Sequence, residues 1–150
     1  MESIFKTETT QKIIERINKL THSSQPQWGK MNVSQMLAHS QKPIEMAAGK
    51  IMPQVNAIIK LLFGKSARKS LLKDPQFKKN IPTFAEAKIT DERVFESEKK
   101  LLIEMIEKFH KNGPEGTTKV PHPFFGAITI EEWDALQTKH LDHHLRQFGV

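Results

Sequence analysis

The run TIEEWDALQTKHLDHHLRQFGV (Thr129–Val150) carries three histidines within five positions, and its reading decides the fold. Thr129 followed by Glu132 is a capping box, in which each side chain satisfies a free backbone N–H at a helix start. Beyond it the apolar residues recur with helical spacing to Arg146 or further. At about 100° per residue, Trp133, Leu136, His140, Leu141 and His144 fall along one apolar stripe, flanked by Ile130 and Phe148. His140 and His144 therefore face inward, one turn apart. His143 is rotated roughly 60° from His140 toward Lys139, Glu132 and Arg146, and is expected to face water.

Two imidazoles at i and i+4 on one helix face can share a cation. The plain alternative is a pair of buried, hydrogen-bonded histidines. Polar rings on an apolar stripe cost desolvation unless each is satisfied, and a metal satisfies both at once. Asp142 falls on the far side of the helix, and no glutamate sits between the histidines as in H-E-x-x-H. A carboxylate base is therefore not evident.

The rest of the chain is also helical in pattern. Ile13, Ile14, Ile17 and Leu20 predict a first helix over residues 8–20. A second runs from Val33 to Ala48, with Asn32 as N-cap and Gly49 as stop. PQVNAIIKLLFG and SARKSLLK predict one or two short helices, and DPQFKKNIPTFAEAKIT reads as loop. A third main helix spans Asp91 to Lys111, with Phe95, Leu102, Ile106 and Phe109 as its stripe and Leu101, Ile103 and Met105 widening it. The long loop NGPEGTTKVPHPFFGA leads to the last helix. The expected fold class is all-α: one domain over residues 1–150, four main helices in a bundle, and extra short helices in a crossover.

Among the 150 residues there is no cysteine, so a transition-metal site must be built from imidazole and carboxylate. The net charge of +6 is local. Residues 50–88 hold nine Lys or Arg and two acids, while the remainder is close to neutral. A solvated basic connection, an anionic small ligand or a membrane surface fits that excess. Nucleic acid does not, because the segment has few aromatic residues and no module signature. No apolar run reaches the ~18–20 residues of a membrane span, and the N-terminal segment lacks the pattern of a signal peptide, so the cytoplasm is the expected compartment.

A bundle site needs a ligand from a second helix. His39, in SQMLAHSQKP, sits at the edge of its helix stripe, and Pro43 four residues on removes the hydrogen bond to its carbonyl. That proline is expected to kink or end the helix and turn His39 toward a cleft. A partly buried helix histidine is the alternative. His110 suits a helix C-terminus and His22 a surface loop. His122, between two prolines in PHPFFG, either faces a pocket or belongs to a loop closing the bundle end. Gln35, one turn before His39, is a candidate for the metal surroundings, and Trp28, Phe124 and Phe125 are candidate pocket walls.

WGKM (Trp28–Met31), SQMLAH (Ser34–His39), HPFFG (His122–Gly126), EEW (Glu131–Trp133) and KHLDHHLRQFG (Lys139–Gly149) together resemble a DinB-like bacterial family within the DinB/YfiT-like metalloenzyme superfamily. KKNIPTFAEA (Lys78–Ala87) is similar to that family's middle segment. The resemblance covers nearly the whole chain. It implies an up-down-down-up four-helix bundle with a three-histidine metal site, here His39, His140 and His144, and gives His143 no ligand role. Superfamily members include thiol S-transferases and a thiol-dependent maleylpyruvate isomerase. The expected function is a metal-dependent transferase that activates a low-molecular-weight, possibly anionic, thiol as its small-molecule substrate. A metal-dependent hydrolase and a non-catalytic metal or ligand-binding module are the alternatives, and a homodimer is compatible with the reading. Nickel, zinc, iron and manganese all accept imidazole.

Overall fold

The computed structural model describes residues 2–74 and 76–150. It is all-α: α1 (Thr7–Lys19), α2 (Val33–Ala47), α3 (Ala57–Lys73), α4 (Phe95–Asn112) and α5 (Ile130–Gln147). Two 3₁₀ turns, Ala85–Ala87 and Pro114–Gly116, interrupt the loops. Among the described residues there is no strand, only an isolated bridge between His122 and Gly126. No helix among them is long and apolar enough to cross a membrane.

α2 is the centre of the arrangement. It packs along α4 and against α5, and α1 lies against both α4 and α5. Ile17, Leu37, Ile106 and Trp133, one from each of these four helices, are all at most 1% exposed. They belong to a single apolar cluster that begins at Ile4 and ends at Phe148. His110 and Thr10 hold the N-terminal segment onto it: the Ile4 carbonyl accepts from His110 Nδ1 at 3.0 Å and from Thr10 Oγ1 at 2.6 Å.

Two local alternatives are narrowed and one expectation is corrected. α2 does not end at Pro43 but continues to Ala47. The helix is buried along most of its length, and tertiary packing outweighs one missing backbone bond. Of the one or two short helices expected after Gly49, there is one, the 17-residue α3. Gly64 at its middle lowers helix propensity by roughly 1 kcal/mol relative to alanine, yet a Cβ there would lie 2.8 Å from the Phe124 carbonyl oxygen. The glycine is what allows α3 to approach the HPFFG loop. Arg68 then ties α3 to α5 through a two-pronged ion pair with Glu132, at 2.8 and 2.9 Å. Finally, α4 starts at Phe95, four residues later than Asp91. Arg93 pairs with Asp91 and Glu98 instead and holds the approach to the helix as loop.

The outer part of the expected α4 stripe is also surface: Leu101 is 47% exposed. Ile106→Ala should therefore cost about 2–5 kcal/mol in urea unfolding, through lost burial and a cavity. Leu101→Ala on the same helix should stay within roughly 0.5 kcal/mol of the parent.

Candidate metal centre

The site is assembled where α2 meets α5. Asn32 and Gln35 close a capping box at the start of α2, with Gln35 N–H donating to Asn32 Oδ1 at 2.9 Å and Asn32 N–H to Gln35 Oε1 at 3.1 Å. This sets the phase of the helix that carries His39. Thr129 and Glu132 do the same for α5 and its histidines. Gln35 is thereby committed to the helix start. Its amide nitrogen donates to the Asp91 carbonyl, so the whole side chain is engaged in local structure.

His39, His140 and His144 come together. One ring nitrogen from each lies within 4.8 Å of the others. His39 Nε2 and His140 Nε2 are 3.1 Å apart. A cation bound at ~2.0–2.1 Å from each nitrogen separates neighbouring ligands by roughly 3.0–3.4 Å, the spacing at which His39 and His140 already stand.

Hydrogen bonding selects the protonation of two rings. His39 Nδ1 is 2.7 Å from the Ala87 carbonyl, which can only accept. Nδ1 must carry the proton, and Nε2 presents its lone pair. His144 Nδ1 likewise faces Gln147 Oε1 at 2.8 Å. A metal-ligating histidine almost always donates its other N–H in this way, which fixes the tautomer and ring orientation. His140 differs. Its Nδ1 is buried without a partner among the described residues, as are both amide atoms of Gln137 one turn earlier.

Burial sets the charge state. His39 and His144 are 6% and 7% exposed. Desolvation lowers the pKa of His39, opposed in part by the Ala87 carbonyl. Burial, followed by the nearness of His39, brings His144 down to about 3. His140 is held well below its ordinary value by burial first and then by His144 and His39. Near neutral pH all three rings are neutral, the form in which imidazole binds a metal.

His143 departs from expectation. It is buried, with its ring edge-on to Trp28 at 5.6 Å and to Phe77 at 6.1 Å. The helical wheel places it on the polar side with Lys139, but the loops holding Trp28 and Phe77 cover that side of α5. Phe77 also stands 6.4 Å from His140, and Lys79 Nζ lies 4.2 Å from the centre of the Trp28 ring. Trp28 thus stands against His143, beside the cluster residue His144, while Phe77 reaches His140 and Lys79 reaches Trp28 from a segment with no periodic signal. Asp142 points away, paired with Arg16 and Arg146.

The PHPFFG candidates lie elsewhere. His122 Nδ1 accepts from the N–H groups of Phe124 and Phe125, at 3.1 and 3.2 Å. Its ring sits 4.4 Å from Phe125 and 5.0 Å from Trp133. Burial, with Lys60 nearby, lowers its pKa to about 4. His122 therefore organises the loop as a neutral acceptor. Phe124 and Phe125 line a groove of about 330 Å³ against α3.

Lowered histidine pKa values link stability to pH with a definite sign. Above an unfolded-state pKa of about 6.5 both states are neutral, and the buried rings carry no protonation penalty. As pH falls toward the folded value of about 3 for His144, the unfolded chain takes up protons that the folded chain refuses. Metal-free protein should lose melting temperature between about pH 6.5 and 5, above the usual carboxylate range. A variant with glutamine at positions 39, 140 and 144 should lose less over that window.

Neither the curated proteins nor the solved structures contain a match. The family model described as "Protein of unknown function (DUF1569)" matches residues 3–149. The chain, with its buried three-histidine cluster, belongs to the DUF1569 family.

Proposed function

We propose that this is a DinB-like metalloprotein in which His39, His140 and His144 hold one divalent cation, and that it is a transferase activating a low-molecular-weight thiol. In this reading α1, α2, α4 and α5 are the four helices of an up-down-down-up bundle in a single domain, with α3 in the crossover. The observation that carries the metal assignment is the convergence of three neutral imidazoles, two of them with Nδ1 bound elsewhere. A divalent ion on three imidazoles keeps a position open and can deprotonate a bound thiol. The chain has no cysteine of its own, so the thiol is a substrate. Among the described residues no carboxylate joins the cluster to act as a base, which favours thiol activation over hydrolysis.

The surroundings support a small, partly apolar, anionic substrate. Phe77 and Trp28 provide ring faces beside His140 and His143. Lys79 brings a positive charge above Trp28. Nickel, zinc, iron and manganese are all compatible with the ligand set.

His39→Ala, His140→Ala and His144→Ala should each remove most Zn²⁺ or Ni²⁺ binding in a chelator-competition titration. His143→Ala should bind metal nearly as the parent does, at some cost in stability. Loss from His143→Ala equal to the other three would reject this ligand set. With a carboxylate-bearing thiol and an electrophile, loaded protein should consume both. Metal binding without turnover across a broad panel would reject the transferase reading and leave a binding module. Lys78→Glu/Lys79→Glu should weaken thiol binding severalfold at low salt and less at high salt, because screening removes the attraction.

A further inference from the structure

The WGKM segment is so far unexplained beyond the tryptophan at its head. Gly29 has φ of +83°, in the left-handed region, and a Cβ there would lie 2.6 Å from Gln147 Nε2. Gln147 is 3% exposed at the end of α5. Its Nε2 donates to the Trp28 carbonyl at 2.6 Å, and its Oε1 accepts from His144 Nδ1 at 2.8 Å. The backbone adds a further tie, with Gln27 N–H donating to the Gln147 carbonyl at 2.7 Å.

We propose that Gln147 is a positioning residue for the metal ligand His144, and that glycine at position 29 is what gives its amide room. The proposal rests on the ligand set proposed above. The Trp28 carbonyl can only accept, so the Gln147 amide must turn its nitrogen toward it. The amide oxygen then faces His144. That oxygen can only accept, so His144 carries its proton on Nδ1 and turns the Nε2 lone pair to the cluster. A side chain at position 29 would collide with the amide nitrogen and disturb every later link. His39 needs no such device, because the acceptor on its Nδ1 is the Ala87 backbone, which no side-chain substitution removes. Gln147 is the side chain that sets a ligand tautomer among the described residues.

The test combines imidazole ¹⁵N NMR of metal-free protein with Zn²⁺ titration against a competing chelator. In the parent, His144 should be the Nδ1–H tautomer. Gln147→Leu should shift His144 toward Nε2–H and weaken Zn²⁺ binding roughly 10–100-fold, the usual effect of removing an outer partner of a ligand. Gln147→Glu still offers an acceptor to His144 but no donor to the Trp28 carbonyl, so it should keep the Nδ1–H tautomer and bind Zn²⁺ less tightly than the parent but more tightly than Gln147→Leu. Gly29→Ala should weaken Zn²⁺ binding in the parent background and add little in the Gln147→Leu background, because both act through one amide. A His144 tautomer and Zn²⁺ affinity unchanged by Gln147→Leu would overturn the proposal. If that variant does not fold, loss of the Nδ1–H signal in Gln147→Glu would overturn it instead. A parent that binds no Zn²⁺ would defeat the ligand set, and the NMR comparison would still decide the role of Gln147.

Discussion

Two imidazole nitrogens 3.1 Å apart, with a third ring beside them, can share a proton or a cation but cannot all be charged. That constraint organises the structure around it. Rings that must remain neutral have to be kept from water, and burial does this by lowering all three pKa values. Burial in turn requires α2 and α5 to meet along apolar faces. The cluster from Ile4 to Phe148 supplies the association energy that offsets desolvation of the histidines. Nearer the rings, acceptors on Nδ1 of His39 and His144 leave their Nε2 atoms as the free ligands.

The end of α5 remote from Gln147 is fixed by equally economical means. Glu132 caps its own helix by accepting from Thr129 N–H at 2.7 Å, and both its oxygens also take Arg68 of α3. One carboxylate therefore joins a helix start, a loop and a second helix. His122 completes the arrangement by receiving two backbone N–H groups of the loop that Gly64 allows α3 to approach.

Much of this was legible in residue order. Period and capping residues marked α1, α2 and α5 to within a residue or two, because Asn32, Thr129 and their i+3 partners state helix starts chemically. The inward pair His140 and His144 followed from helical phase. His39 did not need a helix end at Pro43, since α2 runs through that proline. It followed from position on a helix face, which a helix interrupted or not retains. What residue order left open, and its misplacing of His143, share a cause. The continuity of α3 through Gly64, the burial of His143 and the outlying place of PHPFFG each depend on which loop lies over which helix. Such contacts leave no periodic trace. The Ala87 acceptor is a backbone carbonyl and has no residue code at all. Gln147, three residues beyond His144 on one helix, was readable by spacing.

The histidines on α5 are neighbours in sequence, but His39 and His140 are 101 residues apart. An unfolded chain can offer a cation the helical pair, yet the third imidazole arrives only once a very long loop has closed. Loop entropy makes that closure costly before native contacts form, although the cost rises only slowly with length. A cation bound by all three is thus a reporter of completed tertiary structure, and its release should accompany cooperative unfolding rather than the fraying of α5. The same separation bears on folding: partial structures that hold α5 without α2 present two imidazoles, and would exchange any cation freely until the chain has closed around it.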